Sequence, residues 1–258
     1  MNNPSVLSGY LRFLQEKLGL RIAVKDRVGF YPALDPEFAV ALLGYLFHDN
    51  PYCEYVKADR KNRSVCIEMF SRIDRRCKSE RKTFYGTCHG GVGEFITPIF
   101  TDSGEYLGFL TAGSFRMPRG ERRVRRLCRE ATADKEALLC YGQLPNCPPD
   151  IEDVSGALEL AAEYIAGSYQ ERVRGRKTHL PLERPPEDDY LLSRILHFLE
   201  LNRRDNITVS DIADALHCSE SAISHVFRKG TGLTVRSYIN RLRVTEDRKS
   251  TRLNSSHD

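Results

Sequence analysis

Between Thr208 and Arg243 the chain reads TVSDIADALHCSESAISHVFRKGTGLTVRSYINRLR, a stretch that marks its own helix starts, apolar stripes and stops so densely that few folds remain open to it. Thr208 followed three residues later by Asp211 is a capping box, and Val209, Ile212, Ala213 and Leu216 then fall on one helical face. This helix is expected to stop near His217. Ser219 is a second N-cap, and the helix it opens turns Ile223, Val226 and Phe227 inward and Glu220, Ser221, Ser224, His225 and Arg228 outward. Gly230 and Gly232 supply the stop, and Thr234 caps a further helix carrying Val235, Tyr238, Ile239 and Leu242. Two short helices joined by a tight turn, the second with small polar and basic side chains outward, have the geometry that enters a DNA major groove. Charge agrees. From Ser219 to Arg243 the basic residues Arg228, Lys229, Arg236, Arg241 and Arg243 face a single acid, Glu220, as phosphate neutralisation requires.

This segment resembles the first helix-turn-helix of the AraC-type transcription regulators, the run FRKGTGLTVRSYINRLRV (Phe227 to Val244) carrying the likeness. The resemblance implies double-stranded DNA as partner, with Ser221, Ser224, His225 and Arg228 facing the bases and Lys229, Arg236 and Arg241 near phosphates. His217 departs from the glycine common at the turn, but histidine tolerates a left-handed backbone better than most residues. The family has a second such motif, and here only the first half is present. Asp247 to His257, DRKSTRLNSSH, resembles the in-frame translation of a sequencing adapter. The tail 247–258 is therefore expected to be non-native and the regulator truncated.

The 258 residues suffice for two cores, and 41% hydrophobic with 29% charged residues is an ordinary globular balance. No apolar run approaches the ~20 residues of a membrane helix, and the N-terminus lacks a basic region followed by an apolar stretch, so a cytoplasmic protein without membrane contact is expected. A net charge of +4 decides less than where the charges sit.

Periodicity predicts helices over Val6–Leu18, Asp35–Phe47, Ser64–Ser79, Glu121–Glu130, Lys135–Tyr141 and Ile151–Arg172. It predicts a strand over Arg21–Lys25 with Phe30–Tyr31 pairing back, and a hairpin of Glu94–Phe100 and Tyr106–Phe115 around the turn TDSG. Together these read as an α+β domain over 1–150. A connecting helix over 151–174, a Pro-rich linker over 175–187 and an all-α helix-turn-helix domain over 188–246, opening with a helix from Tyr190 to Leu201, complete the chain. In the long helix, Ile151, Val154, Leu158, Ala161, Ile165 and Ser168 alternate in heptad fashion; a homodimer seam and packing against its own domain both fit.

Eight cysteines lie at 53, 66, 77, 88, 128, 140, 147 and 218, the first four spaced Cys-x12-Cys-x10-Cys-x10-Cys with no CxxC pair. In a cytoplasmic chain they are expected to be thiols or ligands, and this spacing is a weak metal signal. NPYCEYVK (Asn50 to Lys57), Cys66, CHGGVGEFITPIF (Cys88 to Phe100) and GEYLGFLTAGSF (Gly104 to Phe115) resemble a PocR-type sensory domain. That likeness implies a PAS-like fold sensing small hydrocarbon derivatives such as short diols. Gly90-Gly91-Val92 stands where that family often has Ala-Gly-Leu. Cys53, Cys66, Cys88, His89 and Glu94 are the candidate ligand-binding residues; no cofactor is required, although a soft metal at Cys53, Cys66, Cys88 and His89 fits the same chemistry. Gly90 to Gly93 lacks the Lys-Ser/Thr of a phosphate loop, and Arg119 to Arg129 reads as a solvated basic face.

There is no nucleophile elbow, paired-carboxylate motif or metalloprotease signature, so no enzyme is expected. The chain reads as a ligand-responsive transcription regulator, with a thiol- or metal-based redox sensor as the alternative.

Overall fold

The computed structural model describes residues 3–30, 34, 38, 41–42, 44–45, 50–118, 120–128, 134–146, 151–173, 186–202, 206–216 and 218–240. The chain divides into two compact units, Met1–Val28 with Tyr45–Thr178, and Gly29–Gly44 with His179–Asp258. The sequence expectations for Cys147, His217, Arg241 and the tail 247–258 lie outside the described residues.

The first unit opens with α1 (Pro4–Leu18), capped by Asn3 and stopped by Gly19 in the left-handed region. Leu7, Leu11 and Leu14 form its buried stripe, and Leu18 at its end is exposed. A four-stranded antiparallel sheet follows in the order β1 (Arg21–Asp26), β4 (Tyr106–Arg116), β3 (Val92–Phe100), β2 (Phe84–Thr87). The β3–β4 hairpin turns at Thr101–Gly104, where Gly104 takes φ 84° and donates to the Thr101 carbonyl at 2.8 Å. A side chain would resist that dihedral. The short β2 escaped the sequence reading, and Phe30, expected to pair back, lies in no strand.

Helices cover both faces of the sheet. On one, α6 (Ile151–Val173) packs along β3, and the Thr83 hydroxyl reaches both Thr97 (3.0 Å) and Glu159 (2.8 Å). Strand alternation puts Phe95 and Ile99 on this side with Thr97. Val154, Leu158, Ala161, Ile165 and Ser168 are all buried, so the heptad-like stripe is used inside its own unit. On the other face lie α2 (Pro51–Ala58) and α3 (Arg60–Glu80), whose Phe70, Ile73 and Cys77 meet Phe84, Ile96, Tyr106 and Phe109. Asp74 of α3 ties two strands down, accepting from Arg27 (2.9 Å) and from the Tyr106 hydroxyl (2.7 Å). Two further helices, α4 (Gly120–Cys128) and α5 (Asp134–Gly142), close one end through Val124, Ala137 and Tyr141.

In the second unit α7 (Pro186–Leu201) starts four residues earlier than expected, with Pro186 at a first-turn position that needs no N–H donor. It packs on α9 (Glu220–Thr231) and α8 (Val209–Leu216). Phe30, Leu34, Phe38 and Leu42 of the 29–44 segment are buried, and residues 38 and 41–42 are helical. Most of the helix expected over Asp35–Phe47 lies outside the described residues.

Candidate functional site

The recess under α2 and α3 begins with how α2 starts. Asn50 accepts from the Cys53 N–H at 2.8 Å, and Pro51 occupies the first turn, where its missing donor costs nothing. The same Asn50 side chain, only 1% exposed, donates through Nδ2 to Ser114 Oγ at 2.9 Å. Ser114 is the extra residue of a β-bulge. Gly93 pairs with Phe115 and Glu94 with Gly113, leaving Ser114 without a partner on β3, at φ 68°. A bulge re-aims one side chain, here to receive the helix cap, at a backbone cost of about 1–3 kcal/mol. One buried amide thus starts α2 and fixes it to the sheet. Asn-Pro before a helical run was the available signal for α2, and nothing in the sequence marks Ser114.

Glu94 lies on the Ile96 side of β3, facing these helices, and is 8% exposed. Burial pushes its carboxyl up to about 7, with Lys57 and Lys25 acting in the opposite sense. Around it stand the candidate thiols. Cys53 is pushed up to about 11 by burial and by the Glu94 charge, against Lys57 and the Asn50 hydrogen bond. Burial and then Glu94 raise Cys88 as well, and burial raises Cys66 despite Lys57. All three thiols are half-buried in accessible surface, and the Glu94 charge acts on each of them. Cys53, Cys66, Cys88 and Glu94 therefore converge, joined by Asn50, Lys57 and Lys25, which the sequence did not single out. Among the described residues no three His, Cys, Asp or Glu side chains group closely enough to hold a metal ion.

His89 goes elsewhere. The turn Cys88–Gly91 closes through Gly91 N–H to the Cys88 carbonyl at 3.0 Å and is clamped by two tyrosine hydroxyls. Tyr52 donates to the Gly90 carbonyl at 2.6 Å, and Tyr141 donates to Gly91 O at 3.0 Å while accepting from Met117 N at 2.8 Å. Gly91 needs its φ of 82°, and a Cβ there would press on Gly120 at 3.0 Å. At Gly90 an added methyl would meet its nearest atoms at 3.5 Å, ordinary contact, so an alanine would fit there. The turn sends Cys88 to the Glu94 recess and His89 to a separate cavity of about 200 Å³.

In the second unit the capping box forms as read, Asp211 N–H donating to Thr208 Oγ1 (3.2 Å) and Thr208 N–H to the Asp211 carboxylate (2.7 Å). Those bonds hold the Asp211 carboxyl below its ordinary value. Ser219 accepts from Ala222 N at 3.1 Å, and α9 ends at Gly232, with Gly230 buried inside the helix. Ile223, Val226 and Phe227 face inward, Phe227 lying 5.5 Å from Tyr238 of the helix over residues 235–240. Ser221, Ser224, His225, Arg228 and Arg236 are all exposed. Lys229 is exposed too, but its ammonium lies 2.9 Å from the Asp188 carboxylate of α7.

Residues 42–168 match the sensory domain found in PocR. That span runs from before α2 into α6 and contains Asn50, Cys53, Lys57, Cys66, Cys88 and Glu94, but not Lys25. Over 221 residues the chain is 21% identical to the regulatory protein PocR of Salmonella typhimurium strain LT2, covering 79% of this chain and 70% of that one. No solved structure matches the chain. No described helix is long and apolar enough to cross a membrane.

Proposed function

We propose that the chain is a transcription regulator in which the PocR-like unit binds a small organic molecule and the α8–α9 pair reads duplex DNA. The observation that carries this reading is the outward face of α9. Ser221, Ser224, His225 and Arg228 are exposed together on a helix whose opposite side is buried, directly after a second short helix. That arrangement suits a helix-turn-helix of the AraC type, its N-terminal residues on base edges and its basic residues near phosphate. Arg236 would serve phosphate contacts, whereas Lys229 would first have to leave Asp188. The relative named regulatory protein PocR supports a regulatory role and no catalytic one.

The recess favours an uncharged effector. Burial leaves Glu94 about half protonated at neutral pH, able to donate and accept at once, beside thiols and the Asn50 amide. A short diol or related hydrocarbon derivative meets such a surface without introducing a buried charge. The alternative thiol-redox reading needs thiolates, and burial raises Cys53, Cys66 and Cys88 away from that form.

The test is the melting temperature of the full chain across short diols, monoalcohols and aldehydes, with metal content measured alongside. A saturable rise with a diol, weakened in Glu94→Leu, is expected. Stoichiometric zinc or iron with no organic stabiliser would overturn the reading in favour of a metal sensor.

A further inference from the structure

The cavity that receives His89 is separate in its lining from the Glu94 recess and has its own chemistry. It is walled by α3 through Glu68, Met69 and Arg72, by the β2 end through Thr87, and by α4 through Arg123. Its volume of about 200 Å³ equals some six or seven water volumes, room for a metabolite of about that many heavy atoms. The His89 backbone N–H donates to Met69 Sδ at 3.2 Å. Nδ1 and Nε2 are both buried, and the Asn62 backbone hydrogen-bonds to the ring. A cavity of this size lined by two guanidinium groups, a carboxylate and a hydroxyl is a candidate ligand site.

The charges of the wall say which kind. Arg123 spends one N–H on the Cys88 carbonyl at 3.0 Å, which anchors its planar fork beside the cavity. Arg72 makes no hydrogen bond or ion pair among the described residues. Burial keeps the His89 imidazole below its ordinary pKa, the Asn62 backbone acting in the opposite sense, so the ring counts as neutral at pH 7. Two guanidinium groups against one carboxylate, Glu68, leave a single positive charge, matching a monoanion better than a phosphate dianion. Guanidinium forks fit carboxylates, Glu68 and Thr87 can take a hydroxyl, and Met69 with Val65 supplies a short apolar wall.

We propose that this cavity is a second ligand site, binding a short hydroxycarboxylate with its carboxylate on Arg72 and Arg123 and its hydroxyl toward Glu68 and Thr87. The Cys88–His89 backbone is shared with the Glu94 recess, so an occupant here bears on the strand end that shapes the other site.

Lactate and glycolate, titrated calorimetrically into the full chain at fixed ionic strength, test this, with inorganic phosphate and 1,2-propanediol (lactate with its carboxylate replaced by a hydroxymethyl group) as probes of charge and shape. Saturable lactate binding is expected, weakened about tenfold or more in Arg72→Gln and partly kept in Arg72→Lys. Arg72 is exposed on α3, so the variant should fold, which circular dichroism checks. Absence of saturable binding by both carboxylates, unchanged binding in Arg72→Gln, or tighter binding of phosphate would each overturn the proposal. Glu94→Gln should bind lactate as the parent does. Loss there would move lactate into the Glu94 recess, overturning the second site while leaving the effector reading intact. A failed diol response would leave this titration untouched.

Discussion

Replacing Glu94 by glutamine keeps the shape of the side chain and removes its ionisation, which isolates the electrostatics of the recess. In the folded chain burial pushes the Glu94 carboxyl up to about 7 from the ordinary 4.5. Because the folded pKa is raised, the folded state holds a proton that the unfolded state has already released between pH 4.5 and 7. The associated stability is fully present below pH 4.5 and lost as pH rises through 7. A shift of this size corresponds to about 3 kcal/mol, and the 8% exposure of Glu94 leaves little solvent screening to reduce it. Urea unfolding of the parent and Glu94→Gln chains from pH 4 to 8 is the assay. The two should coincide near pH 4, and the variant should be more stable by about 3 kcal/mol at pH 8. Parallel curves across the whole range would refute a buried, strained carboxylate in this recess.

Three further changes probe other joints of the structure. Asn50→Ala removes a helix cap and strands a buried Ser114 hydroxyl, so a loss of about 2–4 kcal/mol by urea unfolding is expected, and Ser114→Ala should be milder. Gly120→Ala would drive a Cβ into the Tyr141 hydroxyl and spoil its bonds to Gly91 and Met117, lowering the melting temperature by several degrees, whereas Gly142→Ala, with open space around it, should not. In DNA binding, Arg228→Ala should relax sequence preference, and Lys229→Ala should lower the salt slope by less than about 1, because Asp188 already engages that ammonium.

Local signals were legible in the sequence where the chemistry is local. Thr208 and Asp211 formed the reciprocal cap their spacing implied, and TDSG turned the β3–β4 hairpin with Gly104 at positive φ. Cys53, Cys66, Cys88 and Glu94 were singled out, largely through a family likeness, and the fold brings them together. What stayed hidden depends on distant pairing. The role of Asn50 is invisible in the sequence because its second partner, Ser114, lies 64 positions away on a bulge. In sequence Arg123 belongs to a solvated basic face, and only the position of α4 against the Cys88–Gly91 turn makes it part of a cavity. Adjacency in sequence groups His89 with Cys88, but the tight turn sends the two to different sides. The α6 stripe shows the converse limit, since periodicity announces a buried face without saying what buries it.

The account stands or falls on whether this chain selects DNA by sequence. Incubating the full chain with a library of random duplexes at physiological salt, and sequencing what is retained over successive rounds, measures that directly. A common motif should emerge, with one position losing its preference in the Arg228→Ala chain. Retained duplexes no different from the starting library, from a folded chain, would contradict it.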